Sequence, residues 1–324
     1  MYETIPNRVI DQIPYTIDSI DLIESGVNTT AKLTTVSGDQ YFMKLSTFTD
    51  SAVFKAEMDI HNQLHQRGFP TTEIIYQSNT TDHPVSNPFF ITPFLSYDEA
   101  DIREISTEQV TQLGTFAGRL ASIGTLGYAD TFGRLVKQNS TLMSEGLYTT
   151  FEEAYIHECY NIVEQLLTIG RSKLPISTET LGVTFQKFKE SVYNTTEYES
   201  SLCHTDLRAR NILWNTTNGD LLIDWGNISI YPWPILQVTT EFLASHMITD
   251  SEKRFQYRQL VRNGFESEYN RSVDESDPIY NAVILSCLIW KLRGVNLWYA
   301  DKSDYKTTQI LRVVEDLRLV LDDV

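Results

Sequence analysis

One segment constrains this chain more than any other: CHTDLRARNILWNTTNGDLLIDWG, residues 203–226. It opens with His204-Thr205-Asp206-Leu207 and reaches Asn211 five residues after the aspartate. Two apolar runs follow, Ile212 to Trp214 and Leu221 to Ile223, separated by a turn carrying Asn218-Gly219. Asn-Gly between two short apolar runs is a strong local hairpin signal. The hairpin ends in Asp224-Trp225.

An aspartate five residues ahead of an asparagine, with a second aspartate just past a short hairpin, is the spacing of one known phosphoryl-transfer arrangement. A carboxylate near an acceptor hydroxyl can orient it and take its proton. An amide carbonyl and a second carboxylate are hard oxygen ligands suited to magnesium on nucleotide phosphates. Asp206 is therefore the candidate catalytic residue, with Asn211 and Asp224 as candidate metal ligands. Each taken alone is ordinary turn chemistry. The three in register favour a shared γ-phosphate site.

The N-terminal third offers matching parts. IDSIDLIE, AKLTTV and QYFMKLS, within residues 17–46, have the composition and spacing of three short strands, with Ser37-Gly38-Asp39 turning the last two into a hairpin. Lys44 lies in the third strand, where a lysine can reach the α- and β-phosphates. The next segment, SAVFKAEMDIHNQLHQRG, has apolar residues at helical spacing, with Ser51 as cap and Gly68 as stop. Glu57 on that helix can pair with Lys44; Asp59, two residues on, should face elsewhere. Between the first two strands, residues 24–30 occupy the place of a phosphate-covering loop. Gly26 permits close backbone approach, and Asn28 and Thr29 offer amides or hydroxyls to phosphate oxygens. An ordinary hairpin turn fits this single-glycine loop equally well. No Gly-x-x-x-x-Gly-Lys-Ser/Thr occurs, which disfavours a P-loop fold.

TTEIIYQS and NPFFITPFL are expected to add two strands, after which the pattern turns helical. Helices are expected at 107–124, 151–170, 235–248, 251–268, 278–299 and 304–321, with strand signals returning once, in the 212–223 hairpin. The expected class is α+β, a small antiparallel β-rich lobe at residues 1–97 and a larger, mainly helical one at 98–324. The second would hold a catalytic loop at 203–211 and a metal-binding segment at 221–226.

At this point the chain resembles the aminoglycoside phosphotransferase and choline kinase-like superfamily. The resemblance rests on CHTDLRARNILW and LLIDWG, with SGVNTTAKL, YFMKL and FKAEMDIHNQL in matching order, and spans roughly residues 15 to 250. It implies a bilobal protein-kinase-like fold and phosphorylation of a small-molecule hydroxyl. It implies ATP, with GTP also open, and Mg2+. It also implies that His204 packs and holds loop geometry. Thr205, Arg208, Ala209 and Arg210 stand where that family commonly has Gly, His, Pro and Gly, and Ala121 where many members carry His. Arg208 and Arg210 bring positive charge beside the expected phosphate site, to contact phosphate or to pair with acidic surface groups.

Two other readings compete. A protein kinase is disfavoured because Ile223-Asp224-Trp225 is followed by no activation segment ending in Ala-Pro-Glu. A nucleotide-binding pseudokinase acting as an interaction protein has no chemical need for Lys44, Asp206, Asn211 and Asp224 together.

Composition narrows the partners. With 43 acidic against 26 basic side chains the formal charge is −17, which repels a nucleic-acid backbone. No apolar run is long enough for a membrane helix, and the N-terminus lacks a signal-peptide pattern. Three dispersed cysteines without a Cys-x-x-Cys pair fit a reducing, cytoplasmic setting. His61 and His65 have metal-binding spacing but no third ligand, and are read as an exposed helix face. Trp225, Tyr231, Trp233, Trp290, Trp298 and Tyr299 are candidates for an acceptor pocket, with core packing as the competing reading.

Overall fold

The computed structural model describes residues 5–23, 28–46, 51–78, 87–98, 100, 105–128, 133–134, 150–169, 177–194, 199–245, 248 and 250–298. In chain order the first elements are α1 (Asn7–Ile10), β1 (Ile17–Ile23), β2 (Thr29–Thr35), β3 (Gln40–Leu45), α2 (Ser51–Gln66), β4 (Tyr76–Gln77) and β5 (Phe89–Pro93). There follow α3 (Thr107–Ile123), β6 (Gly133–Arg134), α4 (Phe151–Ile169), α5 (Thr178–Tyr193), β7 (Ser200–His204), β8 (Ile212–Thr216) and β9 (Gly219–Leu222). The last are β10 (Ile228–Pro232), α6 (Trp233–Ser245), α7 (Ser251–Tyr269) and α8 (Pro278–Trp298). These elements form two compact units, one from described residues within 1–101 and 210–228, the other from those within 102–134, 140–209 and 229–324.

The first unit is built on a five-stranded antiparallel sheet in the order β1-β2-β3-β5-β4. Successive side chains of a strand point to opposite faces. On one face Ala31, Leu33, Met43, Leu45, Phe89 and Ile91 pack against Val9 of α1. Lys44, between Met43 and Leu45, falls on the other face, where its cross-strand partner Phe90 packs with Phe54 and Met58 of α2. α2 buries Phe54, Glu57, Met58, His61 and Leu64, a spacing of three and four that defines one helix face. Gly68 follows at φ +77°, a left-handed conformation open to glycine. The same unit contains the hairpin β8–β9, turned at Gly219.

Residues 71–78 depart from the expected full strand: only Tyr76–Gln77 pairs with β5. The Thr71 hydroxyl and the Thr72 carbonyl are instead engaged by Leu222 and His61, which turns the first half of the segment into a tether rather than a ladder.

In the second unit α3 begins at a Ser106–Gln109 capping box and packs closely along α7. Gly114, Gly118 and Gly264 bring the two backbones together: a Cβ on Gly264 would lie 2.0 Å from the Thr111 carbonyl oxygen. Glu241 of α6 receives a bidentate bond from Arg262 of α7 at 2.9 and 3.0 Å. A three-stranded sheet orders β6-β10-β7. Strand signals thus return more often than the sequence suggests, because the residues of β10 are all buried and those of β7 nearly so, which erases the alternation a half-buried strand shows. α5, capped by Ser177, is also additional to the expected helices. The helix expected at 304–321 lies outside the described residues. Among those described, no helix is long and apolar enough to cross a membrane.

Candidate active site

The first unit brings together Lys44, Glu57, Asn211 and Asp224. Lys44 Nζ donates to Glu57 Oε1 at 2.6 Å and to Asp224 Oδ1 at 2.9 Å. Lys44 and Glu57 keep 9% and 5% of their side-chain surface, whereas Asp224 keeps 41%. The ammonium is thus anchored from behind by a buried carboxylate and shares an accessible one in front. Burial alone would lower the Lys44 pKa, but Glu57 and Asp224 overcome it and raise it, so the ammonium stays charged. Burial pushes the Glu57 carboxyl up while Lys44 pulls it down, and the upward push is the larger.

Hairpin register explains why Asn211 and Asp224 meet. Ile212 pairs with Leu222, and the Ile223 amide donates to the Asn211 carbonyl at 2.9 Å. Asn211 is therefore locked beside the residue that precedes Asp224. Asp224 itself sits in the left-handed region, φ 68° and ψ 60°, a conformation that aspartate tolerates better than most residues. A single turn of 3-10 helix, Trp225–Asn227, begins directly after it. Asp224 offers an open carboxylate, and Asn211, bonded through its carbonyl to the residue before Asp224, carries an amide oxygen; both are hard oxygen donors of the kind that suits a magnesium ion whose remaining ligands come from phosphates and water. Among the described residues no group of three or more His, Cys, Asp or Glu side chains could hold a metal ion.

Of the expected phosphate-covering loop, Gly26 lies outside the described residues. Asn28 and Thr29 stand at the start of β2, both half-buried. Thr30, paired across the ladder with Lys44, donates its hydroxyl to the Ile23 carbonyl at 2.9 Å and closes the base of the β1–β2 connection.

The second unit holds Asp206. The loop leaves β7 at His204, a fully buried residue whose Nδ1 accepts from the Asp206 amide at 3.3 Å and whose carbonyl accepts from the Leu207 amide at 3.1 Å. This matches the loop-holding role implied by the resemblance. Arg208 Nη2 donates to Asp206 Oδ2 at 2.7 Å, so the arginine's partner is the candidate catalytic residue itself rather than a distant surface carboxylate. Arg210 is exposed.

His61 is not on an exposed face. It is buried, and its Nε2 lies 2.7 Å from the Thr72 carbonyl oxygen. Desolvation pushes the imidazole down to about 4, so it is neutral at ordinary pH. Its spacing of four from Glu57 on the same helix was the available signal for that burial. The aromatics resolve toward packing: Trp225 lies edge-on to Phe69, Tyr231 contacts Phe151 and Tyr155, and Trp233 stacks on Phe265. Tyr299 and the side chains of Trp290 and Trp298 lie outside the described residues.

A kinase-like sheet, a buried lysine–glutamate pair and a hairpin joining Asn211 to Asp224 define a phosphotransferase scaffold. The chain belongs to the phosphotransferase enzyme family known as APH, whose pattern it matches over residues 19–233. Among curated proteins, none matches it in sequence. Solved structures share its fold over nearly their full length. A thermostable mutant of aminoglycoside phosphotransferase APH(4)-Ia, bound to ADP and hygromycin B, superposes with a TM-score of 0.63 at 11% identity, covering 96% of this chain and 97% of that one. Spectinomycin phosphotransferase APH(9)-Ia, bound to ADP and spectinomycin, gives 0.61 at 12% identity, with 98% of each chain covered. The amicoumacin kinase hAmiN, in complex with AMP-PNP, Ca2+ and Ami, gives 0.61 at 12% identity, covering 98% of this chain and 93% of that one.

Proposed function

We propose that this protein is an ATP- and magnesium-dependent kinase that phosphorylates a hydroxyl group of a small molecule. The observation that carries the reading is the Lys44 ammonium shared between buried Glu57 and open Asp224, with Asn211 held by Ile223, the residue before Asp224. A lysine so held presents fixed positive charge to nucleotide phosphates. Asp224 and Asn211 would hold magnesium, which when bound offsets the phosphate charge. Gly26, Asn28 and Thr29 would cover the phosphates from the β1–β2 connection.

Asp206 takes the proton of the acceptor hydroxyl as its oxygen bonds to the γ-phosphorus and the bond from that phosphorus to the β–γ bridging oxygen breaks. ADP leaves with that electron pair, and the proton resides on the Asp206 carboxylate until solvent removes it. Arg208 orients that carboxylate through the 2.7 Å bond. The relatives bound to hygromycin B, spectinomycin and amicoumacin support a polar, hydroxyl-bearing acceptor of antibiotic, amino-alcohol or sugar type.

The test is a panel of aminoglycosides, spectinomycin, choline, ethanolamine, homoserine and simple sugars, incubated with Mg-ATP and the full chain. A product heavier by one phosphoryl group, lost in Asp206→Asn, is the expected result. Transfer to protein substrates with none to small molecules would favour a protein kinase. Nucleotide binding with transfer to neither would favour a pseudokinase.

A further inference from the structure

The buried hydroxyl of Thr71 has three partners, and together they join the two carboxylates that share Lys44. Its single hydrogen goes to the Leu222 carbonyl at 2.8 Å. One lone pair receives Trp225 Nε1–H at 3.0 Å. The other faces His61 Nε2 at 3.2 Å. His61 Nε2 also lies 2.7 Å from the Thr72 carbonyl, which can only accept, so this nitrogen carries the proton and the imidazole is the Nε2–H tautomer. Nδ1 is then a buried lone pair without a hydrogen-bond partner among the described residues. The strand end is tied a second time, by the Leu222 amide to the Pro70 carbonyl at 2.9 Å.

The ends of this network matter more than its middle. His61 stands one helical turn after Glu57 on α2, and Trp225 directly follows Asp224. Glu57 and Asp224 are also bridged by the flexible side chain of Lys44, and the His61 ring lies 6.3 Å from the Trp225 ring, so the network acts beside a direct contact of α2 with the Trp225 turn. The network is neutral throughout and buried, so each of its bonds is stronger and less replaceable than one in water.

We propose that Thr71 is a positioning residue, whose hydroxyl latches the Leu222–Trp225 segment to the Thr71–Thr72 stretch that His61 of α2 grips at the Thr72 carbonyl, and thereby sets the separation of the Glu57 and Asp224 carboxylates around Lys44. The latch rests on the phosphotransferase reading above, because the quantity it sets is the geometry offered to magnesium and nucleotide phosphates. Thr71→Val keeps the shape and removes the hydroxyl; Thr71→Ser keeps the hydroxyl. Thr71→Val leaves the Leu222 carbonyl and the Trp225 indole N–H without this partner.

Mg-ATP binding to the full chain, read by calorimetry without any acceptor, tests this directly. Thr71→Val is expected to bind Mg-ATP about five- to tenfold more weakly, the scale of a lost buried hydrogen bond, and Thr71→Ser within about twofold of wild type. Nitrogen-15 NMR of the wild-type chain is expected to show His61 as the Nε2–H tautomer. A lower melting temperature with unchanged Mg-ATP affinity in Thr71→Val would reduce Thr71 to a structural role and overturn the latch. So would a serine variant as weak as the valine variant, or an Nδ1–H tautomer. If Thr71→Val does not fold, Trp225→Phe, which deletes the indole donor, is expected to lose affinity by a similar factor, and unchanged affinity there overturns the latch too. A wild-type chain that binds no Mg-ATP removes the phosphotransferase reading itself, whereas wild-type binding matched by Thr71→Val removes only the latch.

Discussion

Arg208 and Asp206, two residues apart in the loop after β7, are joined by a 2.7 Å charge-assisted hydrogen bond in which both side chains are largely shielded from solvent. A carboxylate has two oxygens, and committing Oδ2 to a guanidinium fixes the plane of the group and thereby where the other oxygen points. Arg208→Met should therefore lower kcat by roughly 10- to 100-fold, the cost of a misaimed catalytic group, with little change in Mg-ATP affinity. Arg208→Lys should recover part of the loss, since an ammonium retains the charge but not the planar fork. The loss is read by single-turnover transfer once an acceptor is known. An arginine that instead contacts nucleotide phosphate would weaken Mg-ATP binding in both variants.

The Lys44–Glu57 pair makes a prediction about stability as well as rate. Removing one member of a buried pair strands the other, at a cost on the order of 3–5 kcal/mol unless the orphan takes up a proton. Lys44→Met should abolish turnover and destabilise the chain at neutral pH. Adding Glu57→Gln should restore stability without restoring turnover, because it neutralises the stranded carboxylate. Urea unfolding of the single and double variants measures the first effect and ATP consumption the second. Equal stability in both variants would mean that Glu57 is already protonated when Lys44 is absent.

How much of this was legible depended on how local the constraint was. Asp206, Asn211 and Asp224 announce themselves because a loop and a hairpin fix their spacing within one short stretch. Lys44 and Glu57 follow from a strand and the next helix. Thr71 was invisible, since its partners Leu222 and Trp225 are 151 and 154 residues away and nothing in TTEIIYQS distinguishes a tether from a strand. β10 was invisible for a different reason: buried throughout, ISIYP carries no alternation to mark its two faces. Arg208 was noticed for its charge, but its partner depended on a turn that only the folded loop supplies.

His61 gives the chain a pH dependence of definite sign. An imidazole pushed down to about 4 by burial, against about 6.5 in the unfolded chain, binds fewer protons in the folded state between those values. Its contribution is present above pH ~6.5 and is lost as pH falls toward ~4. Between pH ~7.5 and ~4.5 that loss amounts to roughly 2–3 kcal/mol. His61→Gln cannot titrate, so it should lose less stability than wild type over the same interval. The difference between the two urea-unfolding curves at each pH isolates this group from the many carboxylates common to both. Parallel losses in wild type and variant would place the imidazole in contact with water.

Two glycines in helices predict opposite outcomes from one substitution. Gly264 lies where α7 crosses α3, and a methyl group there would stand 2.0 Å from the Thr111 carbonyl oxygen and 3.0 Å from the Thr115 nitrogen, both backbone atoms that no rotamer change can move. The helices would have to separate, opening the packing around Phe116, Val261 and Phe265 in the same unit, so Gly264→Ala should destabilise by about 1–3 kcal/mol or more. Gly182 lies inside α5, with nothing among the described residues within 4 Å of a Cβ. There alanine adds no clash and restricts the unfolded chain, so Gly182→Ala should stabilise by roughly 0.5–1 kcal/mol. Thermal and urea unfolding of the two variants decide the matter together. A Gly264→Ala chain as stable as wild type would require α3 and α7 to lie farther apart than this backbone contact allows, and a destabilised Gly182→Ala would require α5 to pack against a surface where the described residues leave open space.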